Sequence, residues 1–175
     1  MNQRKHIAYL MRGLPACGKS HRARRLAGSD GIVLETDQYF YTQVGDDPGS
    51  YDYSNERLSD ARSWNLSRFR AALAHGVSPI VIDRGNGLNS ETLAYVLLAH
   101  ESRYQVELRE LDSPWWQELR VLLKYKDDVA AELLDRWAES LAERSRQTHR
   151  VPMKTIQRWM QSWRSDLTVN DVLQC

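Results

Sequence analysis

The stretch "GLPACGKS", Gly13–Ser20, follows the apolar run "IAYLM" (Ile7–Met11) and opens into the basic, helix-prone "HRARRLA". It fits the pattern G-x-x-x-x-G-K-[ST] with a predicted strand before it and a predicted helix after it, the setting in which that pattern cradles phosphate. Gly13 and Gly18 let the main chain curl so that successive N–H groups converge on phosphate oxygens. The helix that begins near Lys19 adds the positive end of its dipole. Lys19 brings a flexible charge to the outer phosphates, and the Ser20 hydroxyl suits Mg²⁺. An ordinary strand-to-helix turn would leave the Gly-Lys-Ser triplet unexplained. The predicted nucleotide cradle is Gly13, Leu14, Pro15, Ala16, Cys17, Gly18, Lys19, Ser20 and His21. Cys17 lies among amides that favour a thiolate; the simpler reading makes it a small filler of the loop.

Outward from the loop, strands and helices alternate. His6 to Met11 reads as a short buried strand, "KSHRARRLAG" as a helix ending at Gly28, and "GIVLE" as a second strand closing at Thr36-Asp37. The segment "YTQVGDDPGSYDYS" has glycine, proline, serine and acids without periodicity and reads as a loop. Ser54 is the expected cap of a helix whose apolar stripe is Leu58, Ala61, Leu66, Phe69 and Leu73, stopped by Gly76. "SPIVID" is a continuous apolar run ending in an acid, as in a strand covered on both faces. Asn89 or Ser90 opens a helix through "ETLAYVLLAH", and "YQVELREL" alternates like a strand. From Pro114 onward the pattern is helical: Trp115 to about Tyr125, roughly Asp128 to Leu141, and Pro152 to Trp163. This order predicts an α/β fold, three-layer α/β/α with a mainly parallel sheet and a helical C-terminal part.

In such sheets ligands collect beyond the carboxyl ends of the strands, where both Asp37 and Asp83 are expected. Asp83 has the placement of an acid that meets Mg²⁺ directly or through water. Asp37 has that of a general base for an acceptor hydroxyl; capping of turns is the alternative for both. Between Arg144 and Arg164 lie Arg146, Arg150, Lys154 and Arg158. A solvated helix face is the usual meaning of such a run, but "RSRQTHRVP" also fits a lid around residues 144–152 that closes over phosphates, with Arg146 the arginine chosen to support transfer. Trp159 and Trp163 read as core or as a base-stacking platform, and His149 as a structural or lid residue.

A chain of 175 residues is near the size of one domain, so residues 1–175 read as a single unit. The net charge of +1 gives no global field toward nucleic acid or membrane. Cys17 and Cys175 would join a loop to a tail, so a reduced, cytoplasmic chain is expected. No segment approaches the roughly 20 apolar residues needed to span a bilayer.

These residues resemble the polynucleotide-kinase-like P-loop phosphotransferases, including zeta-toxin-type kinases and the kinase modules of certain ubiquitin-ligase-binding proteins. "LMRGLPACGKS" looks like their nucleotide loop and "TDQYF" like their T-D-D-Y-F element. "DRGN" stands where they carry D-N-T-N, followed by matching Glu91, Tyr95 and Val96, and "SPWW" and "THRVP" recur in the same order. The resemblance implies an ATP-dependent kinase with Lys19 at the phosphates, Asp37 as base, Asp83 near acceptor or metal, Asn86 in the third element and Arg146 as lid arginine. Gln38 replaces the second acid, Arg84 and Gly85 replace the residues after the third-element aspartate, and His21 stands where threonine is common. The expected activity is transfer of the terminal phosphoryl group of ATP, with Mg²⁺, to a hydroxyl: first a nucleic-acid 5′-hydroxyl, second a nucleoside, sugar or other small metabolite. A nucleotide-dependent switch without transfer is the third reading.

Overall fold

The structure is a computed structural model and describes residues 6–42, 51–83, 85, 90–146 and 148–174. Its strands β1 (Ile7–Met11), β2 (Ile32–Glu35), β3 (Ile80–Asp83) and β4 (Gln105–Arg109) form one sheet in the order β2-β3-β1-β4. Each neighbouring pair is parallel, with Met11 beside Asp83 and Arg109, and Glu35 beside Asp83. The register therefore brings the ends of β1, β2 and β3 to one level. The loop Gly13–Ser20 leaves an inner strand there, with β3 and then β2, both ending in acids, on one side of it and β4, ending in Arg109, on the other.

Period-two alternation builds the two faces of the sheet. Ala8 and Leu10 of β1 join Ile80 and Ile82 of β3 and Leu34 of β2 in one core. That core is closed by Phe69 and Leu73 of α3 (Leu58–Ala74), Tyr95, Val96 and Ala99 of α4 (Ser90–Glu101), and Val172 of α8 (Val169–Leu173). Met11 and Val81 point the other way, onto Ala23 and Ala27 of α1 (Lys19–Ala27). A third core sits under the phosphate loop, where Leu14 and Cys17 pack with the C-terminal helices. These are α5 (Pro114–Lys124), α6 (Ala131–Ser145) and α7 (Met153–Gln161), which contribute Trp116, Leu119, Leu141, Ile156 and Met160.

Local details depart from the sequence expectations where tertiary contacts override local signals. A short helix, α2 (Gln38–Thr42), runs into the predicted loop because the carbonyls of Thr36 and Asp37 accept the N–H groups of Tyr39 and Phe40, both at 3.1 Å, and Phe40 is wholly buried. Ser54 does not cap α3: its carbonyl accepts from Arg57 N at 3.2 Å in a preceding turn, and Arg57 occupies the cap position without a side-chain bond. The helix expected from Asp128 starts at Ala131, because Asp128 and Val129 turn their N–H groups back to Tyr125 O and close α5 instead. It then runs on to Ser145, past the expected end at Leu141. The five-residue α8 is too short for a periodic signal and is held by a reciprocal cap between Thr168 and Asp171. Among the described residues no helix is long and apolar enough to cross a membrane.

Candidate active site

Beyond the ends of β1, β2 and β3 lies a cleft of about 620 Å³. Pro15, Ala16, Lys19 and Ser20 of the loop line its floor, and Glu35, Thr36, Asp37, Asp83 and Gly85 line it from the strand ends. His149, Arg150, Val151 and Pro152 cover one side. Tyr51, Tyr53, Leu58, Arg62, Glu91, Thr155 and Trp159 also line the cleft.

The loop is curled as its glycines allow. Ala16 has φ 56° and Gly18, at the N-cap of α1, has φ 96°, a left-handed conformation that glycine adopts without cost. Gly13 N–H donates to Gly85 O at 2.9 Å, and Lys19 Nζ donates to Leu14 O at 3.0 Å. Leu14 and Cys17 are buried in the third core, so the loop is anchored from beneath, while His21 is exposed on the first turn of α1. Burial pushes the Cys17 thiol up and away from thiolate reactivity, outweighing the lowering by Lys19 and neighbouring amides. That favours the filler role. Cys17 is a free thiol; Cys175, Arg84 and Asn86 lie outside the described residues.

Lys19 meets a concentration of acids. Burial disfavours its charge, but Cys17, Asp83, Asp37 and Glu35 raise its pKa more than burial lowers it, so it stays an ammonium. Ser20 Oγ donates to Asp83 Oδ2 at 3.2 Å. Glu35 was not singled out in the sequence. Burial and then the Asp83 charge hold its carboxyl above the ordinary glutamate value, and its Oε1 is buried with no hydrogen-bond partner among the described residues. An orphaned carboxylate oxygen beside a second carboxylate and a hydroxyl is the donor set a hard divalent cation takes. Among the described residues no three acidic, histidine or cysteine side chains are grouped to hold a metal on their own. Mg²⁺ at a nucleotide takes most of its oxygens from phosphate and water, and the Ser20, Asp83 and Glu35 oxygens fit the remainder.

On the far side, Asp37 presents a half-exposed carboxylate whose Oδ2 lies 3.8 Å from His149 Nε2. Arg146 is not brought to the cleft: it caps the end of α6, is 74% exposed and pairs with Glu143 at 2.9 Å. Arg150 lines the cleft in its place. The reason is the turn after α6, where Arg150, at φ 50°, donates its N–H to Ser145 O at 2.8 Å and Val151 N–H donates to the buried Ser145 Oγ at 3.0 Å. Trp163 is core, whereas Trp159 is half-buried on the cleft. A Cβ on Gly85 would lie 2.3 Å from the Trp159 ring, so only glycine permits this contact.

A parallel sheet in this order, with a glycine-rich loop after an inner strand and acids at the next two strand ends, defines a P-loop kinase-like α/β domain. The chain belongs to the AAA_33 family, described as an AAA domain, which matches residues 9–123. Human NEDD4-binding protein 2 is 38% identical over 113 residues, a stretch that covers 63% of this chain and 6% of that protein. A chain in the structure of the Pnkp1/Rnl/Hen1 RNA repair complex superimposes on 95% of this chain with a TM-score of 0.61 and 16% identity, and 48% of its own length is covered. A chain of the PezAT chromosomal toxin–antitoxin system of Streptococcus pneumoniae covers 99% of this chain and is itself covered over 85%, at TM-score 0.45 and 17% identity. The chain thus spans a small part of the human relative and about half of the RNA-repair chain.

Proposed function

We propose that residues 1–175 act as one ATP- and Mg²⁺-dependent phosphotransferase unit that passes the γ-phosphoryl group to a hydroxyl, first among them the 5′-hydroxyl of a nucleic acid. The observation that carries the reading is the shared cleft: Lys19 and Ser20 at one end and Asp37 at the other, with Asp83 between them on adjacent strands. In this reading the amides of Leu14 to His21, except that of Pro15, and the Lys19 ammonium hold the β- and γ-phosphates. Ser20 and Asp83, with Glu35 beside them, hold the cation, which screens the phosphate charge. Asp37 takes the acceptor proton as the acceptor oxygen bonds to the γ-phosphorus. The bond from that phosphorus to the β–γ bridging oxygen breaks, and ADP leaves. Arg150, rather than Arg146, supports the equatorial oxygens from the lid. The name of the RNA repair complex supports a nucleic-acid acceptor by likeness of fold.

A small-molecule acceptor is the second reading. The net charge of +1, with Arg62 already tied to Glu91 at 3.2 Å, favours it over a long polyanion. Incubation with γ-labelled ATP, Mg²⁺, 5′-hydroxyl oligonucleotides and small alcohols separates the two. Label is expected on the oligonucleotides, with a loss on the order of a hundredfold for Asp37→Ala at unchanged ATP affinity. Label on small alcohols alone selects the second reading. Free phosphate as the sole product would overturn kinase action and leave a nucleotide-driven switch.

A further inference from the structure

The acceptor side of the cleft is walled by stacked rings. Tyr51 and Tyr53 sit two apart in a segment without helix or strand, and both line the cleft. Their rings lie 6.4 Å apart and within 21° of parallel. Phe40, wholly buried, backs them at 6.0 Å from Tyr51 and 5.0 Å from Tyr53. The residue between them, Asp52, turns outward and takes Arg57 through its carbonyl at 2.9 Å and its carboxylate at 2.6 Å. Arg57 in turn lies 5.8 Å from the Phe40 ring. The strip is therefore fixed from behind before any ligand arrives.

Its orientation points to use rather than to core packing. Tyr53 remains 49% exposed although it stands in a cleft and beside buried Phe40. Tyr51 meets the lid through an edge contact with His149 at 5.1 Å, and His149 in turn faces Asp37. Asp37 also adjoins Tyr51 closely enough to help hold its phenol proton on, after burial itself. One ring of the wall thus touches the neighbourhood of the candidate base, and the other offers an open face beyond it.

We infer that Tyr53, braced by Tyr51 and Phe40, is a specificity-determining platform on which the acceptor stacks a planar heterocycle while its hydroxyl meets Asp37. The acceptor class is a nucleobase-bearing alcohol, whether a free nucleoside or the first nucleotide of a 5′-hydroxyl strand. Stacking suits this cleft because every base has a π-face, while among the described residues Arg62 and Arg150 are the arginines and lysines that line it besides Lys19 of the phosphate loop. This inference rests on the phosphotransferase reading for the identity of the hydroxyl, but its recognition step can be measured without turnover.

The probes are 2-aminopurine riboside and a 5′-hydroxyl dinucleotide with 2-aminopurine at its first position, titrated with Mg²⁺ and a non-hydrolysable ATP analogue. Saturable fluorescence quenching is expected with wild type. Tyr53→Ala should weaken binding about tenfold, Tyr53→Phe should stay within about twofold, and a dinucleotide abasic at its first position should compete about tenfold less well. Nucleotide-induced thermal stabilisation of each variant confirms that it is folded. The riboside and dinucleotide arms separate free nucleosides from strand ends. Absence of saturable quenching with both probes overturns the platform, as does wild-type binding by Tyr53→Ala or equal competition by the abasic strand. Ring-dependent binding without phosphoryl transfer to any acceptor supports the platform and sinks the kinase reading instead.

Discussion

Glu35 illustrates how a side chain acquires its character from neighbours that the sequence does not place beside it. It ends β2 directly opposite Asp83 at the end of β3, and burial together with that second charge raises its pKa. Between the ordinary glutamate value and its raised folded value, the native state keeps a proton that the unfolded chain has released. Stability contributed by this group therefore falls as pH rises through that window. Glu35→Gln removes the effect, so the ligand-free variant is expected to be more stable than wild type at neutral pH, with the advantage shrinking toward acid. Urea unfolding across pH 4 to 8 measures it, and equal pH slopes would contradict it. The same change should weaken ATP binding in Mg²⁺ more than in its absence, since the neutral amide offers the cation no negative charge and one oxygen in place of two. Asp37 and Asp83 were legible as acids following apolar runs. Glu35 was not, because an acid at a strand end usually faces water, and only the parallel pairing of β2 with β3 turns it inward.

The turn between α6 and α7 shows the same limit for a segment. Three arginines fall in an aperiodic stretch, and nothing local says which faces the cleft. Ser145, 1% exposed, decides it by receiving Val151 N–H while donating to Ala142 O at 2.8 Å. Ser145→Ala leaves the Val151 N–H without its partner and is expected to cost about 1–3 kcal/mol in stability, read from denaturant midpoints. It should also raise KM for ATP and the rate of nuisance hydrolysis, because Arg150 and Val151 lose their fixed place over the cleft. Unchanged stability and kinetics would contradict that role. Arg146→Ala, by contrast, removes an exposed pair with Glu143 and is expected to change stability by less than about 0.5 kcal/mol. Helices with strong periodicity, such as α5 and α7, were legible; α2 and α8, each five residues long, are held by a buried ring and by a reciprocal cap.

Arg12 connects the sheet to the C-terminal helices. It is 1% exposed, donates to Glu110 Oε1 at 2.8 Å and to Arg164 O at 2.7 Å, and lies over the Trp163 ring at 4.4 Å. Burial pushes its pKa down to about 10, against the opposing pull of Glu110. Glu110 also takes Arg120 Nε at 3.0 Å and Trp116 Nε1 at 3.3 Å, so it would remain part-buried and less fully paired if the guanidinium were removed. Arg12→Ala is therefore expected to destabilise the protein by about 3–5 kcal/mol. Because Arg12 precedes the phosphate loop, the variant should lose nucleotide binding at a temperature below that of global melting in wild type. Coincident loss of both, at the wild-type temperature, would contradict the link. The sequence showed Arg12 only as the end of an apolar run.

The order of elements, the parallel sheet and the phosphate loop followed from local pattern, because period-two and helical spacing, glycine placement and the Gly-Lys-Ser triplet are properties of adjacent residues. The company each side chain keeps followed from register and from how the C-terminal helices fold back under the loop. Strand pairing joined Glu35 to Asp83, one buried hydroxyl selected Arg150 over Arg146, and Phe40 turned two tyrosines from a polar loop into a wall. Those contacts join positions far apart in the chain, and their energies come from burial and charge that exist only once the layers have closed.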